Sequence, residues 1–164
     1  MTYKYAFQNF DKNTMARASG TNLTISLKKT VETAKELSGK KVSSAINYLE
    51  RVADLKAVVP YRKYRGEMGH KRGKGIDNGG FPVKVSNEIV TLLKSAQKNA
   101  SDLGLDENLY VLSVSGRKGS SRYKPGRYSG RKAKATSVEV VIGAKPAKKE
   151  VTKKWLREKL FNQS

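Results

Sequence analysis

The 164-residue chain has 34 lysines and arginines against 14 aspartates and glutamates, a formal charge of +20 where a small soluble domain carries roughly 2–8. Such a charge indicates a nucleic-acid or anionic-membrane partner. No apolar run is long enough to span a bilayer, and the start lacks the apolar core of a signal peptide, so we expect no membrane partner and a cytoplasmic location. The absence of cysteine from the sequence excludes disulfides and thiolate metal sites.

The first predicted elements are a short strand over residues 22–26 and a helix for which Ser26 is the N-cap. Gly39 ends that helix as the residue after its C-cap. A second helix begins near Ser43, and Pro60 prevents its continuation. In both helices apolar residues recur every three or four positions, which is typical of a helix with one buried face.

Residues 60–84 break this pattern, because they are rich in glycine and bases and have no apolar periodicity. A loop of that length in a compact domain indicates a functional role. A third helix is predicted from about Ser86, with Glu88 in its first turn and an apolar stripe that includes Leu103. Gly104 ends this helix.

Residues 109–143 read as a long β-hairpin, because two strand-like runs flank a segment punctuated by glycine and proline. That connecting segment carries eight bases from Arg117 to Lys134 and no acid. The predicted fold is therefore α+β, with three helices packed on a small three-stranded antiparallel sheet and a long protruding basic β-hairpin. The predicted organisation is an N-terminal arm (1–20), a globular domain (21–143) and a basic C-terminal extension (144–164) with a short helix over 152–161.

Catalysis finds little support in the sequence. His70 is the only histidine and lies among bases, so we expect it to be a polar contact and not a metal ligand. No phosphate-binding loop or acid–base pair is found, and the acids mostly fall on predicted helical surfaces. We therefore expect no enzyme activity, no cofactor and no metal.

The two basic segments favour RNA binding, because they mix arginine with tyrosine and glycine. Arginine pairs phosphates bidentately, and tyrosine stacks on exposed bases. In the loop the predicted contact residues are Tyr61, Arg62, Lys63, Tyr64, Arg65, His70, Lys71, Arg72 and Lys74. In the hairpin they are Arg117, Lys118, Arg122, Tyr123, Lys124, Lys132 and Lys134.

A long irregular basic extension suits the crevices of folded RNA better than a regular duplex. An architectural or chromatin-type nucleic-acid-binding protein stays open as the alternative. An RNA-modifying enzyme is a further rival, although it needs a cofactor pocket or an acid–base pair.

Several motifs also resemble a known family, the universal large-subunit ribosomal protein numbered twenty-two in its archaeal and eukaryotic form. The similar stretch runs from about Arg17 to Ile142. It includes Val59-Pro-Tyr-Arg-Lys-Tyr-Arg65, Gly69-His-Lys-Arg-Gly73, Gly80-Phe-Pro-Val-Lys84 and Arg127-Tyr-Ser-Gly-Arg131.

The resemblance implies a non-enzymatic protein that binds large-subunit ribosomal RNA, supports its assembly and lines the nascent-peptide exit tunnel. The implied partners are that RNA, neighbouring ribosomal proteins including the other tunnel-loop protein, and the passing nascent peptide. Arg17, Lys28 and Lys84 are further predicted RNA contacts within the similar stretch. The implied tunnel-lining tip is Ser121, Pro125, Gly126, Arg127, Tyr128, Ser129, Gly130 and Arg131.

Overall fold

The computed structural model describes residues 5–73, 75–106, 108–127 and 130–144, and these residues form three helices and five strands. In chain order the elements are β1 (Met15–Leu23), α1 (Leu27–Leu37), α2 (Val42–Ala53), β2 (Val59–Pro60), β3 (Gly79–Gly80), α3 (Val83–Asp102), β4 (Tyr110–Lys118) and β5 (Thr136–Gly143). β1, β5 and β4 make an antiparallel sheet in that order, and β2 pairs with β3 in a second, two-stranded sheet. The predicted α+β class is confirmed.

Helices α1 and α2 lie where the apolar periodicity predicts them. Ser26 is the N-cap of α1, although its side chain makes no capping hydrogen bond. Gly39 follows the helix with φ +80°, a left-handed conformation that a residue without Cβ adopts at little cost. α2 begins at Val42, one residue before the predicted start, and buries Ala45, Leu49 and other apolar residues.

Helix α3 begins earlier than predicted. Pro82 is its N-cap, because proline needs no hydrogen-bond acceptor at a helix start, and Val85 extends the buried stripe towards it. Glu88 consequently lies beyond the first turn, contrary to our prediction. Leu103 is the C-cap and is 55% exposed, so its assignment to the buried stripe is also wrong.

The first strand is displaced from its predicted position. β1 begins at Met15, within the stretch assigned to the N-terminal arm, and ends at Leu23. Its buried residues, Ala16 and Ala18, are small and weak strand formers, so the local sequence hides a strand that pairing with β5 creates. Ile25, within the predicted strand, is buried but lies after the observed strand.

The core lies between the helices and one face of the three-stranded sheet. Leu49 of α2, Leu93 of α3 and Val140 of β5 are among its fully buried side chains. A smaller cluster of Val52, Val59 and Tyr61 lies under the basic loop.

The outer face of the sheet is covered by part of the predicted arm. The Arg17 guanidinium lies between the rings of Tyr5 and Phe10, 4.1 and 4.3 Å from their centroids. The main-chain N–H of Ala6 donates to the Glu139 carboxylate at 2.7 Å. Residues 5–10 thus pack on the sheet. The three-part division of the chain stays a prediction.

Strands β4 and β5 are consecutive and antiparallel, and we call the whole segment 110–143 the ribbon. Cross-strand pairing continues beyond the strands, since Gly119 N–H donates to Ala135 at 3.0 Å and Lys124 N–H donates to Arg131 at 2.8 Å. At the base of the ribbon, a Cβ on Gly116 would lie only 3.0 Å from the Thr30 methyl group. How far the ribbon protrudes stays a prediction, and the predicted helix over 152–161 lies outside the described residues.

Two leucines of α3 and its C-cap allow a matched test of this core. Leu93→Ala removes a fully buried side chain and should lower the free energy of unfolding by roughly 2–5 kcal/mol. Leu103→Ala makes the same chemical change at an exposed position and should cost within about 0.5 kcal/mol. Urea unfolding of both variants measures the difference, and equal losses would contradict the assigned burial.

Candidate nucleic-acid interface

The basic loop between β2 and β3 is held by its own hydrogen bonds. The Asn78 side chain donates to the carbonyls of Arg65 at 3.2 Å and Met68 at 2.9 Å, and Tyr61 N–H donates to the Asn78 carbonyl at 2.7 Å. Lys71 N–H donates to the Asp77 carbonyl at 2.9 Å. The main chain of the loop, which carries the bases, therefore has a defined conformation, although its sequence has no apolar periodicity.

Glu32 of α1 anchors one side of this loop. Its side chain is 1% exposed, and its carboxylate accepts the main-chain N–H groups of three consecutive residues. The distances are 3.0 Å from Arg62, 2.9 Å from Lys63 and 2.7 Å from Tyr64. Burial alone raises the pKa of Glu32, but these hydrogen bonds and the Lys35 charge outweigh burial and lower its pKa overall.

Sequence reasoning missed Glu32, because it treated acids on helices as solvated. The one available signal was its place in α1 beside Val31 and close to Ala34, where a turn of the helix faces inward. That signal does not reveal the acceptor role, since the donors lie 30 or more residues away in sequence.

Tyr61 does not lie where a base-stacking residue must lie. It is only 5% exposed and packs with Val52 and Val59, so the prediction that its ring contacts RNA is wrong for this structure. Burial and the nearby Glu32 charge raise the pKa of the Tyr61 hydroxyl, which therefore stays neutral. Tyr61 thus packs in the small apolar cluster beneath the loop.

The other predicted loop residues lie at the surface. Arg62, Lys63, Arg65, His70 and Arg72 are exposed, while Tyr64 and Lys71 are half-buried. Lys74 lies outside the described residues.

Tyr64 brings the loop and helix α1 together. The ammonium groups of Lys63 and Lys28 lie 5.5 and 5.8 Å from the centroid of its ring. The predicted contact Lys28 is thus adjacent to the loop, and its charge extends the basic surface onto the first turn of α1.

A second group of bases surrounds a shallow depression where α1 and α3 begin. Lys29 of α1, Lys84 of α3 and Lys134 before β5 line it, and its lining contains no acid. Neither helix has a side-chain N-cap hydrogen bond or an acid in its first turn, so the partial positive charges of both helix starts add to the lysines. Lys84 and Lys134 were predicted as contacts, whereas Lys29 was not.

Arg117 occupies the inner part of the ribbon and faces a second buried acid. Glu139 is 2% exposed and accepts from Ser115 Oγ at 3.3 Å, while its other oxygen lies 3.5 Å from Arg117 Nη2. Arg117 is thus partly engaged within the chain. Sequence reasoning missed Glu139, whose signal was a single acid within the apolar run Val138–Ile142.

The outer part of the ribbon is exposed at most of its described residues. Lys118, Arg122, Lys124 and Lys132 are exposed bases. Tyr123 is 64% exposed, with the Lys132 ammonium 5.2 Å from its ring centroid. A ring in this position can stack on a base.

Most of the predicted tip is likewise exposed. Its described members are Ser121, Pro125, Gly126, Arg127, Gly130 and Arg131. Tyr128 and Ser129 lie outside the described residues.

The described parts of the chain show no group of three or more His, Cys, Asp or Glu side chains able to hold a metal ion. None of the described helices is long and apolar enough to cross a membrane.

Comparison with known proteins identifies the family. The family model of ribosomal protein L22p/L17e matches residues 18–142. The chain belongs to this ribosomal protein family. The match covers nearly the same stretch as the resemblance found in the motifs.

Archaeal relatives of the L22p/L17e family match most of the chain. The large ribosomal subunit protein uL22 of Methanococcus aeolicus is 40% identical over 139 residues, 80% of this chain and 91% of its own. Its namesake in Methanococcus maripaludis is 38% identical over 146 residues, 85% and 95% of the two chains. That of Ignicoccus hospitalis is 35% identical over 153 residues, 86% and 96%.

Membership in the L22p/L17e family makes the protein a structural component of the large ribosomal subunit in the cytoplasm, and not an enzyme. The rival of an RNA-modifying enzyme is thereby removed. The basic surfaces described above are therefore not parts of an active site.

The lowered pKa of Glu32 predicts an acid-sensitive contribution to stability. Its folded-state pKa lies below the ordinary 4.5, so the ionised carboxylate stabilises the fold above pH 4.5. This contribution is lost as the pH falls through the folded-state pKa. Glu32→Gln should therefore be less stable than wild type at neutral pH, and the gap should narrow below about pH 4.5. Urea unfolding across this range measures it, and a gap that does not depend on pH would contradict the assigned charge.

Proposed function

We propose that the protein binds large-subunit ribosomal RNA through the basic loop, the lysine-lined depression and the ribbon. One observation carries the proposal: the bases of both segments are mostly exposed, whereas two acids beside them, Glu32 and Glu139, are buried and engaged within the chain. The loop's own acids, Glu67 and Asp77, are exposed but are outnumbered by its bases, so the surface offered to a partner is positive. Phosphate is the ligand that such a surface attracts.

The distribution of the apolar faces supports RNA over duplex DNA. All three helices bury residues in the core, and the bases are carried mainly by a loop and a ribbon. Duplex readers place a regular element in one groove, whereas irregular loops suit folded RNA. An excess of duplex DNA that removed the protein from structured RNA would instead favour the architectural role.

We further propose that the tip of the ribbon lines the nascent-peptide exit tunnel beside the other tunnel-loop protein, and that the protein supports subunit assembly. Family membership and the exposed, apolar-poor residues at 120–127 support this role. Bases hold the ribbon against RNA phosphates, while small residues such as Ser121 and Gly126 offer a passing peptide little apolar surface. In this proposal residues 21–143, together with the part of β1 that precedes them, form the docking domain, flanked by the arm and the basic extension.

Salt dependence tests the phosphate contacts. If roughly ten phosphates are neutralised, the slope of log affinity against log salt should be about −7 to −9. Changing Lys29, Lys84 and Lys134 together to glutamine should make the slope shallower by about 2 to 3.

The matched control changes three lysines already paired with acids, Lys40, Lys56 and Lys94. It removes the same charge and should leave the slope within about 1 of wild type. Filter binding to large-subunit ribosomal RNA gives both slopes. Equal effects of the two triple variants would assign binding to net charge alone.

Shortening the ribbon tests the tunnel role. Replacement of residues 121–132 by an Asn-Gly turn keeps the domain, the basic loop and the ribbon base, so subunit incorporation should persist. The bore of the tunnel should change, and with it the chemical reactivity of the tunnel RNA and the pausing of particular nascent chains. Purified subunits and ribosome-pausing profiles report both, and normal incorporation with neither change would exclude the tip from the tunnel.

A further inference from the structure

We infer that Glu32 is a positioning residue for RNA binding: its buried carboxylate fixes the main chain of the basic loop so that Arg62 and Lys63 face a phosphate-bearing partner. The inference rests on the proposed RNA-binding function. A negatively charged residue would thereby strengthen the binding of a polyanion.

The contact geometry is that of a clamp. One carboxylate oxygen, Oε1, accepts the N–H groups of Lys63 at 2.9 Å and Tyr64 at 2.7 Å, and the other, Oε2, accepts the N–H of Arg62 at 3.0 Å. Hydrogen bonds to an ionised acceptor are about twice as strong as neutral ones. Because Glu32 is almost inaccessible to solvent, water does not replace it as the acceptor.

The side chains of two of the three clamped residues lie on the outside. Arg62 and Lys63 are exposed, although their main-chain N–H groups are directed at a buried carboxylate. The clamp therefore separates charge: the acid lies inside and two cations lie outside. A cation whose main chain is already fixed loses less conformational freedom when it binds phosphate, which favours affinity.

Two physical effects predict opposite results when the Glu32 charge is removed. General electrostatics predicts tighter RNA binding, because the variant gains one positive unit of net charge. Positioning predicts weaker binding, because the bases lose their fixed arrangement. The sign of the change therefore identifies which effect dominates.

Glutamine cannot reproduce the clamp. If its amide nitrogen takes the place of Oε1, two N–H donors face another donor. If it takes the place of Oε2, the Arg62 N–H loses its acceptor. In either orientation at least one main-chain N–H is left buried without a partner.

The chain offers a matched control one helical turn away. Glu36 also lies on α1, but its carboxylate pairs with the Lys40 ammonium at 2.6 Å. Glu36→Gln makes the same change in net charge and should leave RNA affinity equal or slightly tighter. Glu32→Gln should weaken RNA binding about fivefold to tenfold at 0.1 M salt for each phosphate that the variant no longer neutralises. The slope of log affinity against log salt should become shallower by about 1 per phosphate.

The experiment measures two quantities on the full-length protein, wild type and both variants. The first is hydrogen exchange at the amides of residues 62–64 without RNA, which should accelerate in Glu32→Gln only. The second is affinity for large-subunit ribosomal RNA transcribed from Methanococcus maripaludis. Glu32→Asp provides a variant of unchanged net charge should Glu32→Gln fail to fold, and its shorter side chain should partly reduce both amide protection and affinity.

The outcomes distinguish this inference from the proposed function. Unchanged amide exchange together with unchanged or tighter RNA binding in Glu32→Gln would overturn the inference. Faster exchange with unchanged affinity would limit Glu32 to a structural role, which also overturns it. If wild type itself fails to bind the RNA, the proposed function fails, while the exchange measurement still reports whether the clamp exists.

Discussion

The pairing of β5 on both of its edges is the interaction on which the rest of the structure depends. β5 lies between β1 and β4, and all of its residues except Ser137 are buried. It joins a strand near the start of the chain to one more than 90 residues later, and its inner face closes the core over the helices. Because register determines which face each side chain occupies, the same pairing places Val140 inside and Glu139 on the opposite face.

The second constraint is the large excess of positive charge. A chain with this charge repels itself in the folded state, yet two of its acids are buried and not spread among the exposed bases. Glu32 and Glu139 are buried and receive main-chain N–H groups, a hydroxyl group and a guanidinium. Each stabilises the segment that carries the bases, so the acids organise the basic surface from within.

The sequence predicts the elements whose positions depend on local apolar periodicity. It does not predict the features that depend on contacts with residues distant in the chain. The apolar stripes of α1 and α2 locate the starts of those helices within a residue. Gly39 locates the end of α1. β1 was misplaced because Ala16 and Ala18 become strand residues only through pairing with β5. The exposed bases of the loop and ribbon follow from composition, but Tyr61 was misassigned because a tyrosine beside arginines looks the same in sequence whether its ring faces RNA or the core. Glu32 could not be assigned, since its partners lie on a distant loop.

Gly116 lies close to Thr30 of α1 at the base of the ribbon, so this contact bears on the angle between the ribbon and α1. Pairing continues eight residues further, to Lys124, a distance of about 26 Å at the rise of a β-strand. Over that distance a tilt of about 4° at Gly116 would move Lys124 by about 2 Å, which is on the scale of a hydrogen bond. A side chain at Gly116 would press on Thr30 at 3.0 Å. Such a substitution would therefore change the direction of the ribbon and displace residues as distant as Lys124. The angle of the ribbon is thus sensitive to a contact inside the domain, at a position that carries no charge.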